Sequence, residues 1–519
     1  MGQPRRRPSR TDPGPALSSA AMADPTDWDA TLDDLTVRRA EAHAMGGAEK
    51  VAQRHAAGRL DARQRIAALV DEGSFTEIGA LSGAAPADAL VAGIGMIEGR
   101  PVAVGAEDFT TLGGSIGPAA SRKRWRLADV ARRERVPLVM LLEGAGHRPP
   151  MPGDPGGSGP GDLGAQGSLS GLVPMITGVM GASAGHGAIT APLCDFSLMT
   201  PDGAIFTAGP PVVKVALGED VSKGELGGPG VAIASGVIHN VCADDESLLR
   251  DIRTYLSFFG SSAWERPPWV DTGDLGPRSL DDLLSIVPRD AQASYDMRLA
   301  LSQLVDGGGF FQVQPDFGPS IICALGRIGG DAVGIVANQP AVLAGSIDAD
   351  AADKAAHFIQ VCDSFHLPLV FLADTPGVLA GRIAERAGVL RAGARMFAAQ
   401  TRARTVKIHV TLRKAYGFGS SVMAMNPFDE QTLSLGFPGA TLGAMGSSGA
   451  ANAMGADEQT RADLHAAENE SSYRSANGLS FDDLIDPRDL RNKVLAGLAA
   501  SARRRSAAAE PVARIGITP

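Results

Sequence analysis

Two glycine-bracketed triplets are the residues of this chain best suited to chemistry. They are Gly185-His186-Gly187, in V-M-G-A-S-A-G-H-G-A, and Gly417-Phe418-Gly419, in R-K-A-Y-G-F-G-S. Each follows an apolar run, Pro174–Met180 in one case and Val406–Leu412 in the other, and each precedes small residues. Glycine reaches left-handed backbone conformations and lets bare peptide N–H groups approach a ligand. Such a turn can stabilise charge developing on an oxygen, although either triplet alone also reads as an ordinary structural turn. The loop histidines His147 and His186 have no acidic partner at a telling spacing, so general-base catalysis is not expected of them. Ser183 lies in G-A-S-A-G, which is not the G-x-S-x-G of a nucleophile elbow. The loops Glu143-Gly144-Ala145-Gly146-His147-Arg148 and Asp374-Thr375-Pro376-Gly377 lack the G-K-[ST] of a P-loop. Arg122-Lys123-Arg124 with Arg126 reads as a solvated helix face or as a contact for an anionic cofactor.

The triplets belong to an internal repeat. Ser115 and Ser346, like Pro137 and Pro368, lie 231 residues apart, and between Gly95–Gly146 and Gly326–Gly377 that offset holds without a gap. Identities include Gly114-Ser115-Ile116 with Gly345-Ser346-Ile347, Lys123 with Lys354, and Pro137-Leu138-Val139 with Pro368-Leu369-Val370. The glycine turns fall at an offset of 232. Two copies of one unit therefore carry one turn each, and the pair reads as two oxyanion sites.

Within each copy the pattern predicts a hairpin, a Gly-Ser-Ile turn, a helix (119–135 and 351–366) and a buried strand (137–142 and 368–373). The strand ends in an acidic residue; a helix, a strand and the glycine turn follow. This order signals parallel β with crossover helices, an α/β fold. A charged helical stretch is expected from Trp28 to about Arg59, a helix up to Val70, and a hairpin around Glu98-Gly99-Arg100. The Gly/Pro-rich segment 149–167 reads as a lid or a mobile loop, and the seam between copies as 267–277. Residues 1–25 read as a disordered tail, and the Arg/Ala-rich C-terminal end as frayed.

The net charge of −10, from 48 basic and 58 acidic residues, argues against nucleic acid as a partner. Four dispersed cysteines without C-x-x-C spacing indicate buried thiols in a reducing, cytoplasmic setting, with no metal site. No apolar run reaches membrane-spanning length.

These residues resemble the carboxyltransferase (β) subunits of biotin-dependent acyl-CoA carboxylases, the propionyl-CoA carboxylase type. The likeness rests on Gly58–Phe75, Asp108-Phe109-Thr110 with Gly113-Gly114, Phe206–Gly228, Ala337-Asn338-Gln339-Pro340, Asp374-Thr375-Pro376-Gly377, Arg413-Lys414-Ala415-Tyr416-Gly417 and Asp486-Pro487-Arg488. It implies two tandem crotonase-like ββα-superhelix domains, 26–270 on the acyl-CoA side and 271–519 on the biotin side. It implies transfer of a carboxyl group from carboxybiotin, on a separate biotinylated α subunit, to the α-carbon of a coenzyme A thioester through an enolate. Gly185 and His186 would supply the N-domain oxyanion hole, with Gly146 and His147 beside it. Phe418 and Gly419 would supply the C-domain hole, and Lys123, Ala415, Tyr416, Gly417 and Ser421 would line the substrates. The assembly implied is a hexamer, a trimer of dimers, with the site between facing subunits. The chain departs from the usual pattern with His186 in place of a glycine, Phe418-Gly419 in place of Gly-Ala, G-A-G-H-R-P-P-M in place of S-G-G-A-R-x-Q-E, and Ser421 at an acidic position. Alternatives of the same lineage are a subunit of a biotin-dependent acyl-CoA decarboxylase and a non-catalytic paralogue that scaffolds a carboxylase.

Overall fold

The computed structural model describes residues 28–156, 160–512 and 516–518; the expected tail at 1–25 lies outside them. The first copy contains β1 (Thr76–Glu77), β2 (Leu90–Ile97), β3 (Arg100–Glu107), β4 (Leu138–Leu142), β5 (Met175–Val179), β6 (Ala182–Ala184), β7 (Phe196–Met199), β8 (Ala204–Phe206) and β9 (Asn240–Val241). The second contains β10 (Phe310–Val313), β11 (Ile321–Ile328), β12 (Asp331–Asn338), β13 (Leu369–Thr375), β14 (Lys407–Tyr416), β15 (Leu433–Gly436), β16 (Thr441–Gly443) and β17 (Asp483–Leu484). They form a seven-stranded sheet, β1-β2-β3-β4-β5-β7-β9, and an eight-stranded sheet, β10-β11-β12-β13-β14-β15-β17, with β16 beside β14.

The first three strands of each sheet are antiparallel and the rest parallel. The β2–β3 hairpin closes at Ile97↔Arg100 through Glu98 and Gly99, both at positive φ (51° and 73°), which matches the twist of the paired strands. Its counterpart closes through Gly329 and Gly330 (64° and 84°). β4 and β13 are buried along their whole length, which is why they read as unbroken apolar runs. The crossover helices are Pro118–Glu134, with proline in its first turn and Arg135 closing it in the left-handed region, and Ala349–Ser364, capped by the Asp348 carboxylate. Helix Ala62–Leu69 opens on a capping box of Asp61 and Gln64. Each copy is thus the mixed α/β unit, parallel strands with crossover helices, expected from the repeat.

The copies agree in detail. Ile116 bridges His147 as Ile347 bridges Val378, and Leu112 and Leu343 share an uncommon positive φ of 49° and 48°. The single long strand β14 corresponds to two strands in the first copy, β5 and β6, and the β14–β16 pairing corresponds to β6–β8.

Three expectations need correction. The charged stretch 28–59 is two helices, Trp28–His43 and Ala48–Ala56, separated where Met45 and Gly47 take positive φ. Segment 149–167 is not all loop: Asp162–Gly167 is helical, while 157–159 lie outside the described residues. Residues 516–518 are docked, not frayed. Ile517 is buried and exchanges hydrogen bonds with the Ser170 hydroxyl, and Thr518 meets His357 and Gln360.

The copies share one apolar core, which runs from Leu69, Val91 and Phe196 to Ile321, Phe358 and Phe371. Phe196 meets Phe311 edge-on at 5.6 Å, and Phe259 meets Phe365 at 5.7 Å. Asn240 clips the edge of the second sheet, donating to Gln312 O (2.9 Å) and accepting from Gln314 N (3.0 Å). Among the described residues no helix is long and apolar enough to cross a membrane.

Candidate active site

Both glycine turns leave the C-terminal ends of parallel strands, where α/β sheets usually receive ligands. Gly185 follows β6 and Gly417 follows β14, with φ of 58° and 53°, so the chain reverses in the left-handed region at both. Under each turn lies a second glycine, Gly146 or Gly377, again at positive φ. A β-carbon there would sit 3.0 Å from the Ala184 carbonyl oxygen in one copy and 3.2 Å from that of Tyr416 in the other. The strand-end loop and the turn therefore touch backbone to backbone in both copies.

The amides of His186 and Gly187, and of Phe418 and Gly419, donate to no protein acceptor among the described residues. The Gly185 amide does: it is committed to Phe206 O at 3.0 Å. Of the expected pair Gly185 and His186, the first amide is thus already engaged, because pairing of β6 with β8 extends one residue into the turn; the adjacent amides without an acceptor are those of His186 and Gly187.

Behind the first turn stands a charged network. His186 Nε2 lies 2.8 and 2.9 Å from the two oxygens of Asp162, at the start of the short helix missed from sequence. Asp162 also accepts from Arg124 Nε (3.0 Å), and Arg124 reaches Glu107 Oε1 (3.1 Å) and Thr190 Oγ1 (2.5 Å). The second Glu107 oxygen accepts the Glu143 amide at 2.8 Å. Burial pushes the Glu107 carboxyl above its ordinary range despite Arg124. Asp162 is held below its own, since hydrogen bonds from His186 and Arg124 and their charge outweigh the burial that opposes them. The His147 ring stacks on His186, centroids 4.1 Å apart, with its Nε2 3.4 Å from Ser121 Oγ. Partial burial, then the neighbouring His186, lower its tendency to protonate.

The acidic strand ends are neutralised in both copies. Glu143 accepts a fork from Arg54 (3.1 and 2.5 Å) and a bond from Arg65 (2.7 Å). Asp374 accepts from Arg413 Nε (2.6 Å) and Tyr295 (3.0 Å). Around the second turn, Phe418 is half-exposed and its ring lies 5.6 Å from that of Phe397. Ser421 lies in the same helical turn, where its carbonyl accepts from Gln400.

Several sequence candidates stand behind these turns and do not face outward. The Lys123 amine is buried among the carbonyls of Gly79, Ala87 and Leu90, as Lys354 is among those of Gln314 and Phe317. Arg124 is wholly buried and Lys123 nearly so, while the Arg126 side chain is 42% exposed, so the basic cluster 122–126 is only in part a solvated face. Ala415 packs into the core. The Tyr416 hydroxyl turns to Thr441 (2.7 Å) and Glu468 (2.6 Å). Glu107 and Asp162 were not singled out from sequence. A signal existed for Glu107 and Arg124, because the repeat aligns them with neutral Asn338 and Ala355.

Residues 53–514 match the family described as the carboxyl transferase domain. The chain is 35% identical to the propionyl-CoA carboxylase carboxyltransferase subunit of Haloferax mediterranei, over 90% of this chain and 95% of that one. It is 36% identical to the methylmalonyl-CoA carboxyltransferase 12S subunit of Propionibacterium freudenreichii subsp. shermanii, over 91% and 94%. It is 32% identical to the methylmalonyl-CoA decarboxylase subunit alpha of Propionigenium modestum, over 89% and 94%. The transcarboxylase 12S crystal structure, a hexamer with methylmalonyl-coenzyme A bound, superposes with a TM-score of 0.87 at 34% identity, covering 95% of this chain and 99% of that one. On this evidence of sequence and shape, the chain belongs to the carboxyl transferase domain family.

Proposed function

We propose that the chain transfers a carboxyl group to the α-carbon of an acyl-CoA, with residues 26–270 receiving the thioester and 271–519 receiving the carboxyl donor. The observation that carries this reading is the pair of equivalent turns, each offering free amides, in a member of this family. Biotin, borne by a separate biotinylated subunit, supplies the activated carboxyl group.

The chain's own part is charge stabilisation and positioning. The amides of His186 and Gly187 face the thioester oxygen, which gains negative charge as the α-proton leaves. A preorganised donor of this kind contributes about 3–4 kcal/mol to lowering a barrier. The amides of Phe418 and Gly419 would face the ureido oxygen of the donor, whose nitrogen, once it had given up the carboxyl group, would take the α-proton. The residues around them fit such a group: a β-carbon at Gly419 would sit 2.6 Å from Gly377 Cα, so the backbone approach that leaves those amides bare needs glycine. Gly146, His147, Gly417 and Ser421 border the bound groups, while Lys123, Ala415 and Tyr416 hold the surrounding backbone. The same donors serve the reverse reaction, as in a decarboxylase subunit.

An assembly is part of the reading. Helix Pro210–Leu217 buries none of its residues within the chain, and Val215 is 89% exposed on it. Such an unpartnered apolar helix marks an interface. A hexamer of three dimers, with each site shared between facing chains, accounts for it. The test is to mix the purified chain with a biotinylated carboxylase partner, ATP, bicarbonate and a panel of acyl-CoAs, and to look for carboxylated products. Product with any acyl-CoA supports the reading. None, with a partner shown to be active, points to the non-catalytic scaffold.

A further inference from the structure

The network behind the first turn does not balance its own charge. Glu107 and Asp162 are both buried. Glu107 accepts from Arg124 and from the Glu143 amide, Asp162 Oδ2 accepts from Arg124, and the two Asp162 oxygens lie 2.8 and 2.9 Å from His186 Nε2. That pattern fits two carboxylates, since a protonated acid would have to donate. Against them stands one guanidinium, Arg124. The neighbours do not supply the missing charge. Glu143, Asp202 and Asp245 together take up Arg54, Arg59 and Arg65, the His147 ring is disfavoured as a cation, and burial keeps the Cys194 thiol neutral. Thr190 and Ser121 contribute only hydroxyls.

The second copy is an internal control. At the same offsets Glu107 becomes Asn338, Arg124 becomes Ala355, Asp162 becomes Gly393 and His186 becomes Phe418. Asn338 Oδ1 still accepts the strand-end amide, from Asp374 at 3.1 Å, as Glu107 accepts that of Glu143. Phe418 still leans on the helix that carries Gly393, 3.4 Å from where a β-carbon would lie. One scaffold thus exists in an uncharged form and in a form with four charged or chargeable groups. The charged form stands directly behind the donors: a β-carbon at Gly187 would lie 3.2 Å from Glu107 Oε1.

We infer that His186 carries the proton that balances this cluster, so that charge build-up on the acyl-side oxygen depends on that one proton. Its ring donates Nε2–H to Asp162 and, when charged, brings the four groups to zero. When the proton leaves, one negative charge remains uncompensated beside the site where the enolate oxygen forms. Like charges a few ångströms apart in a poorly solvated site repel strongly. His186 and Asp162 are positioning residues in this account, since the backbone amide of residue 186 is what meets the substrate.

The inference rests on the reading of this turn as the acyl-side oxyanion site. The experiment follows kcat and KM for the assembled complex from mildly acidic to alkaline pH. In the unaltered chain kcat falls by roughly tenfold or more as the pH rises, with KM little changed. Asp162→Asn and Glu107→Gln each remove one negative charge and flatten that fall. His186→Gln is low and flat throughout, and His186→Gln with Asp162→Asn recovers activity at alkaline pH. An alkaline fall that persists in both charge-removing variants, or a His186→Gln enzyme with the unaltered profile, overturns the inference. NMR of selectively labelled histidine, with His186→Gln to assign the signal, reads whether the ring is doubly protonated at neutral pH without any assay. A neutral His186 ring overturns the inference even if transfer is observed. A charged ring without transfer at any pH counts against the functional reading alone.

Discussion

Glu107 and Asn338 occupy the same place in the two copies. Each ends the third strand of its sheet, and each accepts the backbone amide of the acidic residue that closes the next strand. The geometry survived duplication while the charge did not, which separates what the fold needs at that position from what one site adds. The fold needs an acceptor for a buried N–H. The extra charge of Glu107 then requires Arg124, and the second carboxylate, Asp162, brings in His186.

Gly419→Ala tests the second turn. The new methyl would meet the Gly377 backbone at 2.6 Å, so one of the two segments must move and the Phe418 and Gly419 amides move with it. Steady-state kinetics are expected to show kcat lowered by about 100-fold or more, with circular dichroism unchanged.

Arg413→Ala tests the buried ion pair. It leaves the wholly buried Asp374 carboxylate with Tyr295 and a longer contact to Lys414 at 3.4 Å. Unpairing a buried charge costs about 3–5 kcal/mol, so urea unfolding is expected to show a loss of that size. Adding Asp374→Asn is expected to restore part of it.

Acid lability follows from His409. Its ring is wholly buried between the Met423 carbonyl and Thr411 Oγ1, and burial lowers its pKa from 6.5 to about 4. The unfolded chain binds this proton first as the pH falls, so the stabilisation is fully present above 6.5 and is lost progressively down to about 4. The slope from one such group is about 1.4 kcal/mol per pH unit in that window. Chemical denaturation of His409→Gln at several acidic pH values is expected to show a shallower decline.

Removal of the last four residues tests the docked C-terminus. It strips Ile517 from its buried seat and ends the Thr518 contact with His357. A loss of about 1.5–3 kcal/mol is expected from burial of one such side chain, read as a lower Tm. An unchanged Tm would mean that the docked end contributes nothing in solution.

The repeat made the fold legible. Ungapped matches such as Pro137 with Pro368 located both buried strands, and the positive-φ glycines placed both turns. The Gly185 amide was not legible, because whether a turn N–H is free depends on where a neighbouring strand stops pairing, here β8 at Phe206. Nor was Asp162, which sits in a segment whose glycines and prolines conceal a helix of six residues. Lys123 misled for a related reason: its charge suggested a ligand, but the amine caps backbone carbonyls, a role that exposure alone reveals.

The core that joins the copies through Phe196, Phe311, Phe259 and Phe365 also sets what the duplication can no longer do. A gene cut at the seam would yield two fragments, each presenting large aromatic faces to water, and neither could be exchanged for a half from a relative without repacking that junction.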